Sequence, residues 1–100
     1  MPEFCLTLIS PPDIEEKLLD TLLTTAGNEV FTSTPTFSHG TAHGRLDATE
    51  QVLGRSRAVQ VQILVSTDEM NRLLQVLRES FAGTGLRYWA TPLAREGEIR

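Results

Sequence analysis

Apolar residues fall at every second position through residues 58–65, Ala58-Val59-Gln60-Val61-Gln62-Ile63-Leu64-Val65. Val59, Val61, Ile63 and Val65 are β-branched and keep a period of two, which predicts a strand with one buried face. The opposite face carries Gln60, Gln62 and Leu64. It is too polar for a second core and lacks the charge of a solvated surface, so the sequence leads us to expect that it meets copies of itself. Residues 3–9 show the same period, with Phe4, Leu6 and Leu8 set against Cys5, Thr7 and Ile9. Ser10-Pro11-Pro12-Asp13 ends that strand and starts a helix, because proline cannot donate to a ladder but suits a first helical turn.

The first helix is expected to be capped by Ser10 or Asp13, to bury Ile14, Leu18, Leu22 and Ala26 with Leu19 and Leu23, and to stop at Gly27-Asn28. Residues 29–37 predict a second strand, with Pro35 marking it as a sheet edge. A long connection, 38–57, follows. Its glycine-rich first half, Ser38-His39-Gly40-Thr41-Ala42-His43-Gly44, is expected to be mobile, and its second half to form a short capped helix over 47–53. After the central strand, Ser66 and Glu69 have capping-box spacing and open a helix burying Met70, Leu73, Leu74, Leu77 and Phe81. Ala82-Gly83-Thr84-Gly85 ends it. Residues 86–93 predict a last strand containing Pro92, followed by a polar tail.

The order βαββαβ predicts an α+β, ferredoxin-like domain over residues 1–100: a four-stranded antiparallel sheet with both helices on one face. In it the first and third strands are central and the second and fourth are edges. Pro35 and Pro92 fall in those two edge strands. Cys5, Thr7, Ile9, Gln60, Gln62, Leu64 and Arg87 or Trp89 would then form a bare sheet face. An open, slightly apolar surface is the alternative to an oligomer interface there.

Composition narrows the classes. With 40% hydrophobic and 22% charged residues the chain suits one core. A formal net charge of -4, with Lys17 the sole lysine, argues against nucleic-acid binding. No apolar run approaches a membrane span, so no membrane insertion is expected and the chain is placed in the cytoplasm. Cys5 alone fits a reducing compartment and reads as a small buried hydrophobe.

The run Ala48-Thr49-Glu50-Gln51-Val52, then Arg57 to Val65 and an acidic-capped helix, resembles the passage from T-loop to third strand in PII-like signalling proteins. Glu50-Gln51-Val52-Leu53-Gly54-Arg55 and the Tyr88-Trp89 pair are most similar to a short PII-like family of unknown function often encoded beside heavy-metal efflux pumps. The resemblance implies a T-loop-like segment over 38–57, a homotrimer whose sheet faces enclose Gln60, Gln62 and Leu64, and regulation by binding without catalysis. It also implies a site between subunits: Gly83-Thr84-Gly85 stands at the family's phosphate-binding loop, Arg87 supplies its cation, and Arg95-Glu96-Gly97-Glu98 is similar to the family's C-terminal motif. No uridylylated tyrosine is matched.

Two ligand chemistries are open. His39 and His43 could reach one divalent metal, with Asp47 and Glu50 or further copies as helpers; the alternative is a pair of exposed loop histidines. Arg45, Arg55, Arg57, Arg87 and Arg95, with Gly83 and Gly85, suit a phosphate, bicarbonate or adenine nucleotide; the alternative is surface ion pairing. The function expected is a non-enzymatic sensor that binds metal or nucleotide and acts on a membrane transporter, with metal efflux as its setting. The alternatives are a protein-protein adaptor with no ligand and a small acylphosphatase-like enzyme, though Ser10-Pro11-Pro12 stands where the latter needs an anion loop.

Overall fold

The computed structural model describes residues 1–25, 30–39 and 55–100. In chain order these form β1 (Phe4–Ser10), a 3-10 turn (Pro12–Ile14), α1 (Glu15–Thr25), β2 (Phe31–His39), β3 (Arg55–Val65), α2 (Thr67–Phe81) and β4 (Arg87–Pro92). The strands make one sheet in the order β2-β3-β1-β4, every neighbouring pair antiparallel. This is the expected ferredoxin-like arrangement, with β1 and β3 central. Pro35 and Pro92 lie in the outer strands, where a missing N–H costs no inner ladder bond.

The buried residues follow the period-two pattern. Leu6 and Leu8 of β1 and Val59, Val61, Ile63 and Val65 of β3 face Leu18 and Leu22 of α1 and Leu73, Leu74, Leu77 and Phe81 of α2. Each fully buried leucine is worth about 1.5–3 kcal/mol over an exposed one. Helix α2 starts with the expected capping box: Glu69 N donates to Ser66 Oγ at 3.2 Å, and Ser66 N donates to Glu69 Oε1 at 2.9 Å. Two contacts between distant parts of the chain tie the layers. Thr67 donates to the Glu3 carboxylate through its N–H at 3.3 Å and its hydroxyl at 3.1 Å. Lys17 Nζ donates to the Ser80 carbonyl at 3.3 Å and lies 5.0 Å from the Phe81 ring centroid.

Several details differ from the sequence reading. Neither Ser10 nor Asp13 caps the first helix. The chain enters through the 3-10 turn with Pro11 at the N-cap and no side-chain cap, while Ser10 Oγ donates to the Pro11 carbonyl at 2.8 Å. Leu23 is 63% exposed, because the sheet is met by Leu18 and Leu22 and the far side of the helix turns outward. β2 runs to His39 and β3 begins at Arg55, so Ser38 and His39 continue the strand instead of opening a mobile segment. The reason is that β2 and β3 pair beyond the sheet as a ribbon, where the ladder holds polar residues that hydrophobic periodicity does not mark. The helix stop at Gly27-Asn28, the short helix over 47–53, His43 and Arg45 lie outside the described residues. Among the described residues no helix is long and apolar enough to cross a membrane.

Candidate functional site

Directly paired residues in an antiparallel sheet share a face. The register therefore arranges the side away from the helices in rows. Thr34, Gln60, Ile9 and Arg87 form one row, and Thr32, Gln62, Thr7 and Trp89 the next. Leu64, Cys5 and Thr91 form a third. Arg87, at the edge, is the only charged residue in these rows. Thr7 sits at the centre and is 2% exposed, with Gln62 Nε2 donating to its hydroxyl at 3.5 Å and Cys5 Sγ 3.9 Å from it. Around that centre Leu64 stays 36% exposed and Trp89 49% exposed. The face is thus uncharged across its middle, with apolar side chains open on both flanks. Sequence reasoning placed Cys5, Thr7, Ile9, Gln60, Gln62 and Leu64 on this face, and named Gln60, Gln62 and Leu64 as its interface; that Thr7 lies buried at its centre was not legible.

The end of the sheet where β1 finishes at Ser10 gathers most of the candidate binding residues. There β3 begins with Arg55, Ser56 and Arg57, β2 ends with His39, and β4 begins with Arg87. The α2–β4 loop closes beside them. Gly83 and Gly85 have φ of 77 and 92°, a left-handed backbone that glycine adopts without strain. Thr84 fixes the turn, its N–H and hydroxyl both donating to the Phe81 carbonyl at 3.2 and 2.6 Å. A Cβ at Gly83 would meet nothing within 4 Å, so the loop leaves open space above its backbone.

The same register separates other candidates. Arg57 pairs with Phe37 and alternates with Val59, on the helix side of the ribbon, whereas Arg87 pairs with Ile9 on the open side. Counting strands and residues puts their Cα atoms roughly 14 Å apart. Arg57 borders a groove of about 620 Å3 between the start of α1 and the ribbon, with Pro35 and Phe37 in its wall and Glu15 opposite. Arg95 is at the other end of the sheet: Leu93 N donates to the Glu3 carbonyl beside the first residue of β1. Two further residues reach at most about 7 Å, against the roughly 20 Å length of β1. One chain therefore brings Gly83, Gly85 and Arg87 together and keeps Arg95 away. His39 is exposed at the end of β2. Among the described residues no group of three or more His, Cys, Asp or Glu gathers to hold a metal ion.

Solved structures that share this architecture include the following three. A DUF3240 family protein from Shewanella baltica OS155 superposes with a TM-score of 0.79 at 20% identity, covering 100% of this chain and 99% of that one. A nitrogen regulatory PII-like protein from Thiomonas intermedia K12, solved bound to ADP, AMP and bicarbonate, gives 0.74 at 16% identity, covering 99% and 98%. The divalent cation tolerance protein CutA from Archaeoglobus fulgidus gives 0.69 at 13% identity, covering 98% and 89%. No curated protein matches. The fold is PII-like, and since the model of the protein family of unknown function DUF3240 matches residues 1–100, the chain belongs to that family.

Proposed function

We propose that this chain is a PII-like regulator that works by binding and not by catalysis. Copies assemble as a homotrimer through the open sheet face, and an adenine nucleotide or a smaller phosphate-like or bicarbonate anion is held between copies. The observation that carries this reading is the open face itself. An uncharged centre built on Thr7 and Gln62, flanked by exposed Leu64 and Trp89, suits a surface buried against its own copies.

The ligand site follows from what one chain separates. Gly83, Gly85 and Arg87 offer backbone amides and a guanidinium at one end of the sheet, and Arg95 joins them only from a neighbouring copy. Arg57, on the helix side of the ribbon roughly 14 Å from Arg87, stands apart from this site. The Thiomonas protein's bound ADP, AMP and bicarbonate support the same ligand class for a shared fold. A metal at His39 and His43 is the lesser reading, since among the described residues no group of three or more metal-ligating side chains gathers. Segment 38–57 is the proposed contact with a membrane transporter, metal efflux being the setting that the family resemblance suggests.

A thermal-shift screen tests the reading, with wild type, His39→Ala/His43→Ala and Arg87→Ala against Zn, Cu, ATP, ADP, AMP and bicarbonate. A ligand at 100 times its Kd adds about 2.7 kcal/mol, a shift of several degrees for a domain of this size. The expected result is a nucleotide or bicarbonate shift that survives the histidine substitutions and is lost in Arg87→Ala. A shift with metal alone would reassign the ligand to the histidines. No shift at all would leave an adaptor without a sensing role.

A further inference from the structure

On the helix side of the sheet, away from the open face, a pocket of about 180 Å3 opens between the C-terminal part of α2 and β4. Leu8, Leu74, Leu77, Phe81 and Leu86 wall it. The first four belong to the buried core and Leu86 packs against them, so the inner end of the pocket is hydrocarbon. Leu74, Leu77 and Phe81 are there because their spacing puts them on one stripe of α2. Arg78 follows Leu74 by four residues, on the border of that stripe, and Tyr88 is the register partner of Leu8, which turns its ring to the helix side.

Arg78 and Tyr88 form the rim. Both are exposed, and Arg78 Nη2 donates to Tyr88 Oη at 3.3 Å. Arg78 is the only charged residue on the lining. Because the phenol oxygen accepts from the guanidinium, its own O–H remains a donor alongside the other guanidinium N–H groups. The rim thus offers donors and a positive charge, which matches an acceptor-only carboxylate and opposes an ammonium group. The volume sets the rest of the ligand: an apolar cavity of roughly 150 Å3 accommodates one benzene ring.

We infer that this pocket binds a small monocarboxylic acid carrying one ring or a short hydrocarbon chain. Its carboxylate sits at Arg78 and Tyr88 and its hydrocarbon lies against Leu74, Leu77 and Phe81. The site shares only the Gly83–Gly85 backbone with the proposed nucleotide site, and it stands whether or not nucleotide binds.

The probes are benzoate, benzylamine and ADP, followed by two-dimensional amide NMR on the full chain, for wild type and Arg78→Met. Arg78 is exposed, so the variant is expected to keep the wild-type spectrum and unfolding midpoint. Benzoate should give saturable shifts at Leu86, Tyr88 and the end of α2, with affinity reduced at least tenfold in Arg78→Met. Benzylamine should not saturate, and the ADP response should be the same in both proteins. Unsaturable benzoate shifts, equal benzoate affinity in Arg78→Met, benzylamine binding as tightly as benzoate, or joint loss of ADP and benzoate would each overturn the inference.

Discussion

Gln62→Glu separates the properties of the single chain from those of the assembly. Gln62 is exposed in one chain, and its amide reaches Thr7 Oγ1 at 3.5 Å, long for a strong hydrogen bond. In a monomer the substitution is therefore a surface change, worth within about 0.5 kcal/mol. If the face is covered by other copies, each chain instead carries an unpaired carboxylate out of water beside Thr7 and Leu64. Such a charge costs about 3 kcal/mol or more, and at about 1.4 kcal/mol per tenfold assembly weakens roughly a hundredfold for each chain. Light scattering and sedimentation velocity across micromolar concentrations read the outcome, with Asn71→Asp on the exposed side of α2 as control. Wild type and control should sediment as trimers, and Gln62→Glu should shift toward the monomer with an unchanged circular dichroism spectrum. A wild-type monomer, or a variant with the wild-type mass distribution, would mean that the open face is not an interface between copies.

Three further outcomes follow from local structure. Ser66→Ala removes one half of the capping box and should cost about 1 kcal/mol in urea denaturation, with Glu69→Ala less than additive because both belong to one device. Gly83→Ala meets open space but forces a side chain onto a φ of 77°, so it should destabilise by about 1–2 kcal/mol without a cavity or a clash. Leu18→Ala, at a position 0% exposed between helix and sheet, should cost about 2–5 kcal/mol by the same denaturation assay.

The parts of the fold that the sequence disclosed are those governed by short-range rules. Val59 to Val65 alternates because one side of β3 is core. Ser66 and Glu69 are three residues apart because the capping box joins them, and Pro35 and Pro92 lie in the two outer strands of the sheet. The parts it concealed depend on contacts between distant residues. Lys17 with Ser80 and Phe81, and Glu3 with Thr67, pair residues over sixty positions apart that no local period joins. Ser10 reads as a helix cap by type, yet the prolines after it impose a 3-10 entry and its hydroxyl turns to Pro11. For the candidate site, the residue types were legible: two glycines, a nearby arginine and a second arginine in the tail. Their placement was not, because only the strand register puts Arg57 and Arg87 on opposite sides and Arg95 at the far end of the sheet.

Mixing two defective variants shows whether a neighbouring copy completes the ligand site. Arg87→Ala and Arg95→Ala are each expected to lose nucleotide binding in calorimetric titration with ADP. When the two are unfolded together in equal amounts and refolded, chance pairing around a trimer gives an intact Arg87 facing an intact Arg95 at about a quarter of the interfaces. Recovery of about that fraction of the wild-type binding stoichiometry, at wild-type affinity, is the predicted result. No recovery in the mixture, or full ADP binding by either variant alone, would mean that no neighbouring copy completes the site.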